Sequence, residues 1–348
     1  MSTAWFALGV TFLLSFVFTV ILRPIGHRLG LVDHPGGRKR HVSPTPLVGG
    51  IAIYLAFLVT VGGLPVPGGL SPTLYTLLFA GALIVVAGVI DDRWYLGIRL
   101  RFGVQIVIAL LVIHFGDALI ANLGAFIGAE PVTMGILAVP FSVFALVGAI
   151  NAINMADGID GLAGSVCAIS LFLPAIVAIS GERPGDAMVL LALVGGILGF
   201  LVFNLRYYPR HRAKVFLGDS GSTFLGLAVG YFLVVLTQGE NRLIAPVTAL
   251  WILGVPLLDT VACMVVRIRR GSSPFQSDRG HLHYLLIDSG LTSSRALLVI
   301  VVFHTMLGVA GLVGHYTKVP ENVMCLSFVA LFLLYLAGTA KYRAPLDG

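Results

Sequence analysis

Long apolar runs separated by short polar connections restrict the fold of this 348-residue chain more than any other feature. A helix needs about 20 apolar residues to span a bilayer. We interpret eleven runs of about this length as transmembrane segments, covering residues 4–22, 47–63, 72–90, 101–119, 132–150, 159–179, 186–204, 217–236, 244–265, 294–315 and 320–339. The sequence therefore predicts an all-α integral membrane protein of about eleven transmembrane helices, with residues 1–348 forming a single polytopic domain.

The composition supports a membrane protein over a large soluble core. Charged residues make up only 11% of the chain, whereas soluble domains carry about 25%. Few of the apolar segments have the polar face that a soluble helix needs. The first segment lacks both the basic start and the small-residue cleavage site of a signal peptide, so we expect it to act as a membrane anchor.

The basic residues predict the orientation of the chain. All but three of the 22 Lys and Arg residues lie in connections after odd-numbered segments, the exceptions being Arg183, Arg242 and Lys318. Because cytoplasmic connections are rich in Lys and Arg, we place the N-terminus outside and the C-terminus in the cytoplasm. The net charge of +6 is thus mainly a topological signal. Nucleic acid is not an expected partner, because no soluble module presents this charge.

The predicted cytoplasmic connections also hold most of the acidic residues, which basic topology signals do not explain. Carboxylates near a membrane are costly unless they are paired, metal-bound or hydrated. We therefore expect the active site on the connections 23–46, 91–101, 151–161, 205–222 and 266–293.

Two acidic motifs favour a divalent cation. Asp91 and Asp92 are adjacent and repel each other, which a cation or a basic partner would relieve; the alternative is a hydrated pair neutralised by Arg93. In NAINMADGIDG, polar residues recur every three positions, at Asn151, Asn154, Asp157 and Asp160. On a helix such residues share one face, and their oxygens suit Mg²⁺. The alternative is a polar turn that caps the next helix.

Two further motifs favour an anion near that cation. Asp219 lies among small residues in GDSGS, where helix-start amides can hold a phosphate and the carboxylate a metal; the alternative is an N-cap motif. In RIRRGSSPFQSDRGHLHYLL, arginine forks suit phosphate, although topology alone explains the first arginines. His281 and His283 are two residues apart, so we expect them on a loop or its edge.

The order of these motifs resembles the polyprenyl-phosphate N-acetylhexosamine-1-phosphate transferases, and among them the undecaprenyl-phosphate N-acetylglucosamine-1-phosphate branch. The motifs that carry the resemblance span residues 38–283 and read RKRHVSPTPLVGG, DDR, NAINMADGIDGL, VFLGDSGS, PLLD and RRGSSPFQSDRGHLH. The chain departs from many relatives at Tyr95, where they have Asp, and at Tyr284, where they have a third His.

The resemblance implies roles for individual residues. It implies Asp219 and Asn154 at a Mg²⁺ ion, for which Mn²⁺ could substitute, and catalytic positions for Asp91, Asp92 and Asp157. It implies substrate binding by Asp160 and Phe216, which would contact uracil, and by the basic residues Lys39, His41, Arg267, Arg279, His281 and His283.

The resemblance implies an enzyme of the bacterial cytoplasmic membrane, acting at the cytoplasmic face. It would transfer a sugar-1-phosphate from a UDP-sugar to undecaprenyl phosphate, release UMP and start cell-envelope polysaccharide synthesis. UDP-GlcNAc is the favoured donor; a 6-deoxy amino sugar or UDP-MurNAc-pentapeptide is the alternative, and a homodimer is left open. A transporter is the other class considered, but its polar groups would lie near the membrane midplane.

Overall fold

The computed structural model describes residues 2–34, 44–69, 71–128, 130–206, 212–275 and 278–343. Within them the chain forms twelve α-helices: α1 (Ser2–Leu29), α2 (Gly49–Gly63), α3 (Pro72–Trp94), α4 (Ile98–Phe115), α5 (Ala138–Ala156), α6 (Leu162–Ser180), α7 (Pro184–Asn204), α8 (Gly218–Val235), α9 (Pro246–Arg269), α10 (Leu282–Asp288), α11 (Ser293–Tyr316) and α12 (Glu321–Thr339). Two short antiparallel strands, β1 (Val32–Asp33) and β2 (Thr45–Pro46), join α1 to α2. The prediction of a helical protein is confirmed.

Ten helices in the described ranges are long and apolar enough to cross a membrane, judged by length and composition. Two helices fall short: α10 has only seven residues, and the 15 residues of α2 span roughly 22 Å. Gly50 near its start lies against Gly221, whereas Pro67, just after its end, lies close to Gly185 at the start of α7. Helix α2 therefore connects opposite ends of the bundle, although the count of eleven spans stays a prediction.

Short-range sequence signals explain several helix ends. The Ser71 hydroxyl accepts a hydrogen bond from the Leu74 amide at 3.2 Å, and Pro72 occupies the first turn of α3, as N-caps and N-terminal prolines commonly do. Helix α9 is kinked at Gly254, two residues before Pro256, because proline cannot continue the helical hydrogen-bond ladder. Helix α5 runs to Ala156, beyond the end at 150 that the apolar run predicted.

Helix α7 packs closely against α1 through small residues. A Cβ atom at Gly195 would lie 2.2 Å from the Leu8 carbonyl oxygen, and one at Gly199 would lie 2.4 Å from that of Phe12. The Ser15 hydroxyl donates to the Gly196 carbonyl at 2.7 Å. Small residues let helix backbones approach closely. Such close packing is needed to hold membrane helices together, because lipid tails are as apolar as the helix surfaces.

Helix α8 lies between α2, α3 and α5, and glycines permit this arrangement. A Cβ atom at Gly50 of α2 would lie 2.2 Å from the Gly221 nitrogen, and one at Gly88 of α3 would lie 2.3 Å from the Ser220 Cα. On the α5 side, a Cβ atom at Gly226 would lie 2.6 Å from the Ile150 Cα. The first turn of α8, which carries Asp219, is therefore fixed by backbone contact with two neighbouring helices.

The predicted outer connections meet at one end of the bundle, opposite the acidic motifs. Arg242 pairs with Glu321 at 3.1 Å, and Arg183 donates to the Asn241 carbonyl. The Gln238 side-chain oxygen accepts from the Ala121 amide at 3.0 Å. The helices thus alternate in direction as the sequence predicts, whereas the direction of the bundle across the membrane stays a prediction.

Candidate active site

An open cavity of about 500 Å³ lies at the end of the bundle where the predicted cytoplasmic connections meet. It is lined by polar residues from three separate motifs and by an aromatic ring: Asp91, Asp92, Asn154, Asp157, Asp160, Phe216 and Asp219. Tyr284, from the late basic connection, completes one side of the cavity. The structure therefore brings together residues that lie far apart in the sequence, from Asp33 to Ser293.

Asp91 is buried at the C-terminal end of α3 and has fixed partners. Its carboxylate accepts from the Leu96 amide at 2.7 Å and pairs with Arg101 at 3.1 Å. The sequence alternative named Arg93 as the neutralising residue, but Arg93 lies over the Trp94 ring instead. Asp91 is thus held at the cavity wall by the Leu96 amide and by Arg101 in the first turn of α4.

Asp92 caps the N-terminus of α8 from the neighbouring helix. Its two carboxylate oxygens accept from the backbone amides of Asp219 and Ser220, at 2.8 and 3.2 Å. A carboxylate at this position satisfies two amides that lack helical partners and interacts favourably with the helix dipole. Helix α8 is therefore capped from α3, which leaves the Asp219 carboxylate to face the cavity.

Asn154 connects the acidic loop to α8. Its amide nitrogen donates to the Asp219 carboxylate at 2.6 Å and to the Ser222 hydroxyl at 2.9 Å. Asn151, one turn earlier, instead binds Gln105 of α4 at 2.7 Å, which is a helix-packing contact. Because α5 ends at Ala156, the four residues spaced by three do not form one helical face; only the two asparagines lie on the helix.

Asp157 faces the cavity from the turn between α5 and α6. No hydrogen bond or ion pair is found for its carboxylate among the residues that the structure describes. Enclosure by protein, together with the carboxylates of Asp219, Asp92 and Asp160, raises the pKa of Asp157 to about 8. The side chain is nevertheless open to the cavity, so water or a cation there would offset part of this shift.

Asp160 lies at the far side of the same turn and has a basic partner. Arg206 forms an ion pair with it, and the Ala213 amide donates to the same oxygen at 3.3 Å. Asn204 ties this turn to the segment before α8, accepting from the Gly161 amide at 2.7 Å and donating to the Val215 carbonyl at 2.9 Å. Neither Asn204 nor Arg206 is predicted at the site from the sequence, because topology alone explains a basic residue in this connection.

The oxygen donors around the cavity fit a Mg²⁺ ion. Asp219 and Asp157 offer carboxylate oxygens and Asn154 an amide oxygen, and neither carboxylate forms an ion pair with a basic side chain among the described residues. Mg²⁺ takes such ligands and keeps several waters, so the donors need not be tightly clustered. A tighter group of metal-binding atoms exists at Asp259, Cys263 and His281.

That tighter group does not fit a metal ion. The Arg343 guanidinium donates to the Asp259 carboxylate at 2.8 Å and to the Cys263 sulfur at 2.5 Å. A cation bound by the same atoms would lie next to a permanent positive charge. The acidic cavity is therefore the better candidate for the predicted metal.

The late basic residues lie beside the cavity rather than in its lining. Arg267 forms two hydrogen bonds to Asp278, at 2.8 and 2.7 Å, which together with the Gly280 amide lower the pKa of Asp278 although burial opposes this. Arg279 pairs with Asp288 at 2.7 Å. Their roles toward substrate stay predictions, as do those of Lys39 and His41, which lie outside the described residues.

The two histidines lie at the start of α10, in agreement with the predicted loop edge. His281 is its N-cap residue and bonds to Asp259 at 2.8 Å. His283 is buried, and its Nε2 packs against Gly158 of the acidic turn, where even a Cβ atom would collide with it. Burial, followed by the neighbouring His281, lowers the pKa of His283 to about 4.

Comparison with known proteins agrees with this site. Residues 74–237 match the model of glycosyl transferase family 4. The undecaprenyl-phosphate alpha-N-acetylglucosaminyl 1-phosphate transferase of Haemophilus influenzae is 37% identical over 331 residues, which cover 94% of this chain and 91% of that protein. Proteins of the same name from Escherichia coli K12 and Pasteurella multocida are 36% and 38% identical, over 93% and 94% of this chain and 88% and 91% of their own lengths. The chain therefore belongs to glycosyl transferase family 4, in the same family as these bacterial transferases.

Proposed function

We propose that this protein transfers a sugar-1-phosphate from a UDP-sugar to undecaprenyl phosphate and releases UMP. We propose GlcNAc-1-phosphate as the transferred group and the cytoplasmic face of the bacterial inner membrane as the location. One observation carries the proposal: three motifs that match the sugar-phosphate transferase pattern converge on a single acidic cavity at one end of a membrane-type helix bundle. Relatives that align over more than nine-tenths of this chain are named undecaprenyl-phosphate alpha-N-acetylglucosaminyl 1-phosphate transferases, which supports the proposed acceptor and sugar.

The reaction forms one phosphoanhydride bond and breaks another. An oxygen of the lipid phosphate attacks the β-phosphorus of the UDP-sugar, and the bond from that phosphorus to the bridging oxygen breaks. UMP leaves with this oxygen, and the sugar becomes attached to the lipid through a pyrophosphate. A phosphate monoester with a second pKa near about 6 is already mostly dianionic at neutral pH, so the attack needs little help from a general base.

Bringing two anionic substrates together is the main problem that the site must solve. Mg²⁺ bound by Asp219 and Asn154, beside Asp157, would supply positive charge for the transferring phosphoryl group. The protein holds the Asp219 carboxylate toward the cavity, because the Asp92 carboxylate caps α8 and the Asn154 amide fixes one Asp219 oxygen. These contacts limit reorganisation during the reaction.

The two substrates would contact different residues of the cavity lining. Asp160 and Phe216 would hold the uracil, with Arg206 next to the Asp160 carboxylate. The Asp91 carboxylate, held by Leu96 and Arg101, would position the lipid phosphate or accept a residual proton. The remaining Asp91 charge is compatible with a phosphate only if Arg101 or a bound cation compensates it.

A single assay tests the reaction. Purified protein, undecaprenyl phosphate and Mg²⁺ would be mixed with UDP-GlcNAc, a UDP-6-deoxy amino sugar or UDP-MurNAc-pentapeptide, and UMP release would be followed. We expect turnover with UDP-GlcNAc, dependent on both lipid and metal. Turnover only with another donor would contradict the proposed sugar, and Mg²⁺ or lipid flux in proteoliposomes without UMP release would favour a transporter.

We favour direct attack over a covalent phospho-aspartate. With UDP-GlcNAc labelled in the sugar and no lipid acceptor, the direct reaction leaves no label on the denatured protein. Label that stays on the protein and is lost from an Asp91→Asn or Asp157→Asn variant would instead establish the two-step path.

A further inference from the structure

A buried charge cluster lies behind the histidine segment, outside the cavity lining. Its centre is Asp259 of α9, which is only 7% exposed although it lies within an apolar helix. One Asp259 oxygen faces His281 Nδ1 at 2.8 Å. The other accepts from the Tyr335 hydroxyl at 2.8 Å and from the Leu282 amide at 3.0 Å. A carboxylate this far from water is tolerated only with such partners.

The positive charge that compensates Asp259 comes from the end of the described chain. Arg343 is 4% exposed, and its guanidinium donates to Asp259 at 2.8 Å and to the Gly280 carbonyl at 2.7 Å. Its Nε donates to the Thr339 hydroxyl at 3.1 Å, one turn earlier. Arg343 thus joins the end of α12 to both α9 and the backbone just before His281.

The contacts of His281 fix the orientation of its ring. Asp259 accepts only, so the proton must be on His281 Nδ1. On the other side, an Arg267 nitrogen lies 3.4 Å from His281 Nε2, and a guanidinium can only donate. Asp259 on one side and Arg267 on the other therefore hold the His281 ring in one orientation.

The fixed ring in turn lies next to the cavity. His281 and His283 are stacked, with ring centroids 5.9 Å apart and planes 5° from parallel. His283 packs against Gly158 of the acidic turn, and the next residue, Tyr284, lines the cavity. A displacement of Asp259 would therefore move His281 and His283, and with them the residues that line the cavity next to His283.

We propose that Arg343 is a positioning residue for the transfer reaction, acting through Asp259 to orient His281 and the segment that follows it. The inference rests on the proposed function only for its activity readout. Nothing in the sequence around Arg343 indicates this role, because a basic residue after the last apolar segment is typical of a topological charge.

A double-mutant cycle tests the proposal with purified, folded protein. We expect Arg343→Ala to lower kcat/KM for UMP release at least about tenfold, as loss of an outer partner of a functional histidine does. His281→Ala should lower it by a similar or larger factor, and the double variant should be no worse than His281→Ala alone. Arg343→Lys should recover part of the loss, since an ammonium restores the charge but not the planar fork.

Lys341→Ala is the matched control, because Lys341 is an exposed basic residue in the same short turn. It should leave kcat/KM within about twofold of the unchanged protein, as exposed substitutions usually do. Multiplicative losses in the Arg343 and His281 double variant would overturn the proposal. So would an Arg343→Ala protein with normal kcat/KM per folded molecule and only a lower melting temperature.

Hydrogen exchange gives a readout that needs no substrate. The Leu282 amide donates to Asp259, whereas the Gly280 amide donates to Asp278, which Arg267 holds. Arg343→Ala should speed exchange at Leu282 by at least about tenfold, more than at Gly280. Unchanged Leu282 exchange would overturn the positioning role, whereas absence of UMP release from the unchanged protein with every donor would refute the proposed function alone.

Discussion

At the scale of single residues, the site depends on which carboxylates are already bonded and which are left to bind ligands. Asp92 is committed to the α8 amides and Asp91 to Leu96 and Arg101. Asp219 keeps one oxygen bonded to Asn154, and Asp157 has no partner within the described ranges. The DD and GDSGS motifs therefore act together: Asp92 of the first motif caps α8, the helix that carries Asp219 of the second motif.

Asp219→Ala should abolish turnover, by at least about a thousandfold, because electrostatic stabilisation of the transferring group is usually the largest contribution to such a reaction. UMP release under saturating substrates measures this. Glu240→Gln removes an exposed carboxylate at the opposite end of the bundle and should have no effect. Near-normal turnover in Asp219→Ala would refute its assignment.

His283 predicts a specific pH dependence of stability. Its pKa is lowered to about 4 by burial and by His281 and Arg279, which outweigh Asp259. Between the unfolded value near about 6.5 and this folded value, the unfolded chain binds the additional proton, so stability falls as pH falls. Burial of the neutral His283 ring should therefore lower the free energy of unfolding by about 2 kcal/mol when the pH falls from 7 to 5.

Comparison of His283→Gln with the unchanged protein isolates that contribution. The difference between their melting temperatures in detergent should change between pH 7 and pH 5, because the variant loses less stability on acidification. Parallel pH profiles for the two proteins would show that His283 is protonated, or accessible to protons, in the folded state.

At the scale of helices, the approach of α2 and α3 to the first turn of α8 decides where Asp219 lies. Gly50 and Gly88 allow backbone contact with residues 220 and 221. Each of these glycines lies within an apolar run, and no local sequence pattern connects it with a motif more than 100 residues away.

Gly88→Ala should move the first turn of α8 and disturb the site. The added methyl group would meet the backbone at Ser220, and such overpacking costs about 1–3 kcal/mol. We expect a lower melting temperature together with slower UMP release. Gly103→Ala in α4, where no atom lies within 4 Å of the added Cβ, should change neither; equal effects of both variants would contradict the packing argument.

At the scale of the whole molecule, the alternation of short and motif-rich connections separates a polar, acidic end from an end of simple turns. Both ends are visible in the structure, since Arg242 and Glu321 meet far from the acidic cavity. The distribution of Lys and Arg predicts that the acidic end faces the cytoplasm.

Cysteine labelling in intact cells checks that orientation. Cys167 and Cys263 are buried, so a Cys325→Ala background should be silent toward a membrane-impermeant maleimide. In it, Glu240→Cys should react from outside, and Ser289→Cys, which is also exposed, only after permeabilisation. The reverse pattern would invert the predicted topology, and reaction of both from outside would contradict the alternation of the helices.

The sequence by itself determined the helical membrane class and the acidic motifs, because hydrophobic length and polar clusters within apolar runs are local properties. It also named seven of the residues that line the cavity, among them Asp91, Asp157 and Asp219. Only the tertiary structure decided which charges pair: Arg101 with Asp91, Arg206 with Asp160 and Arg343 with Asp259. Pairing depends on which helix ends meet in space. It cannot be predicted from the charge pattern, because membrane topology already explains every basic residue at the acidic end of the bundle.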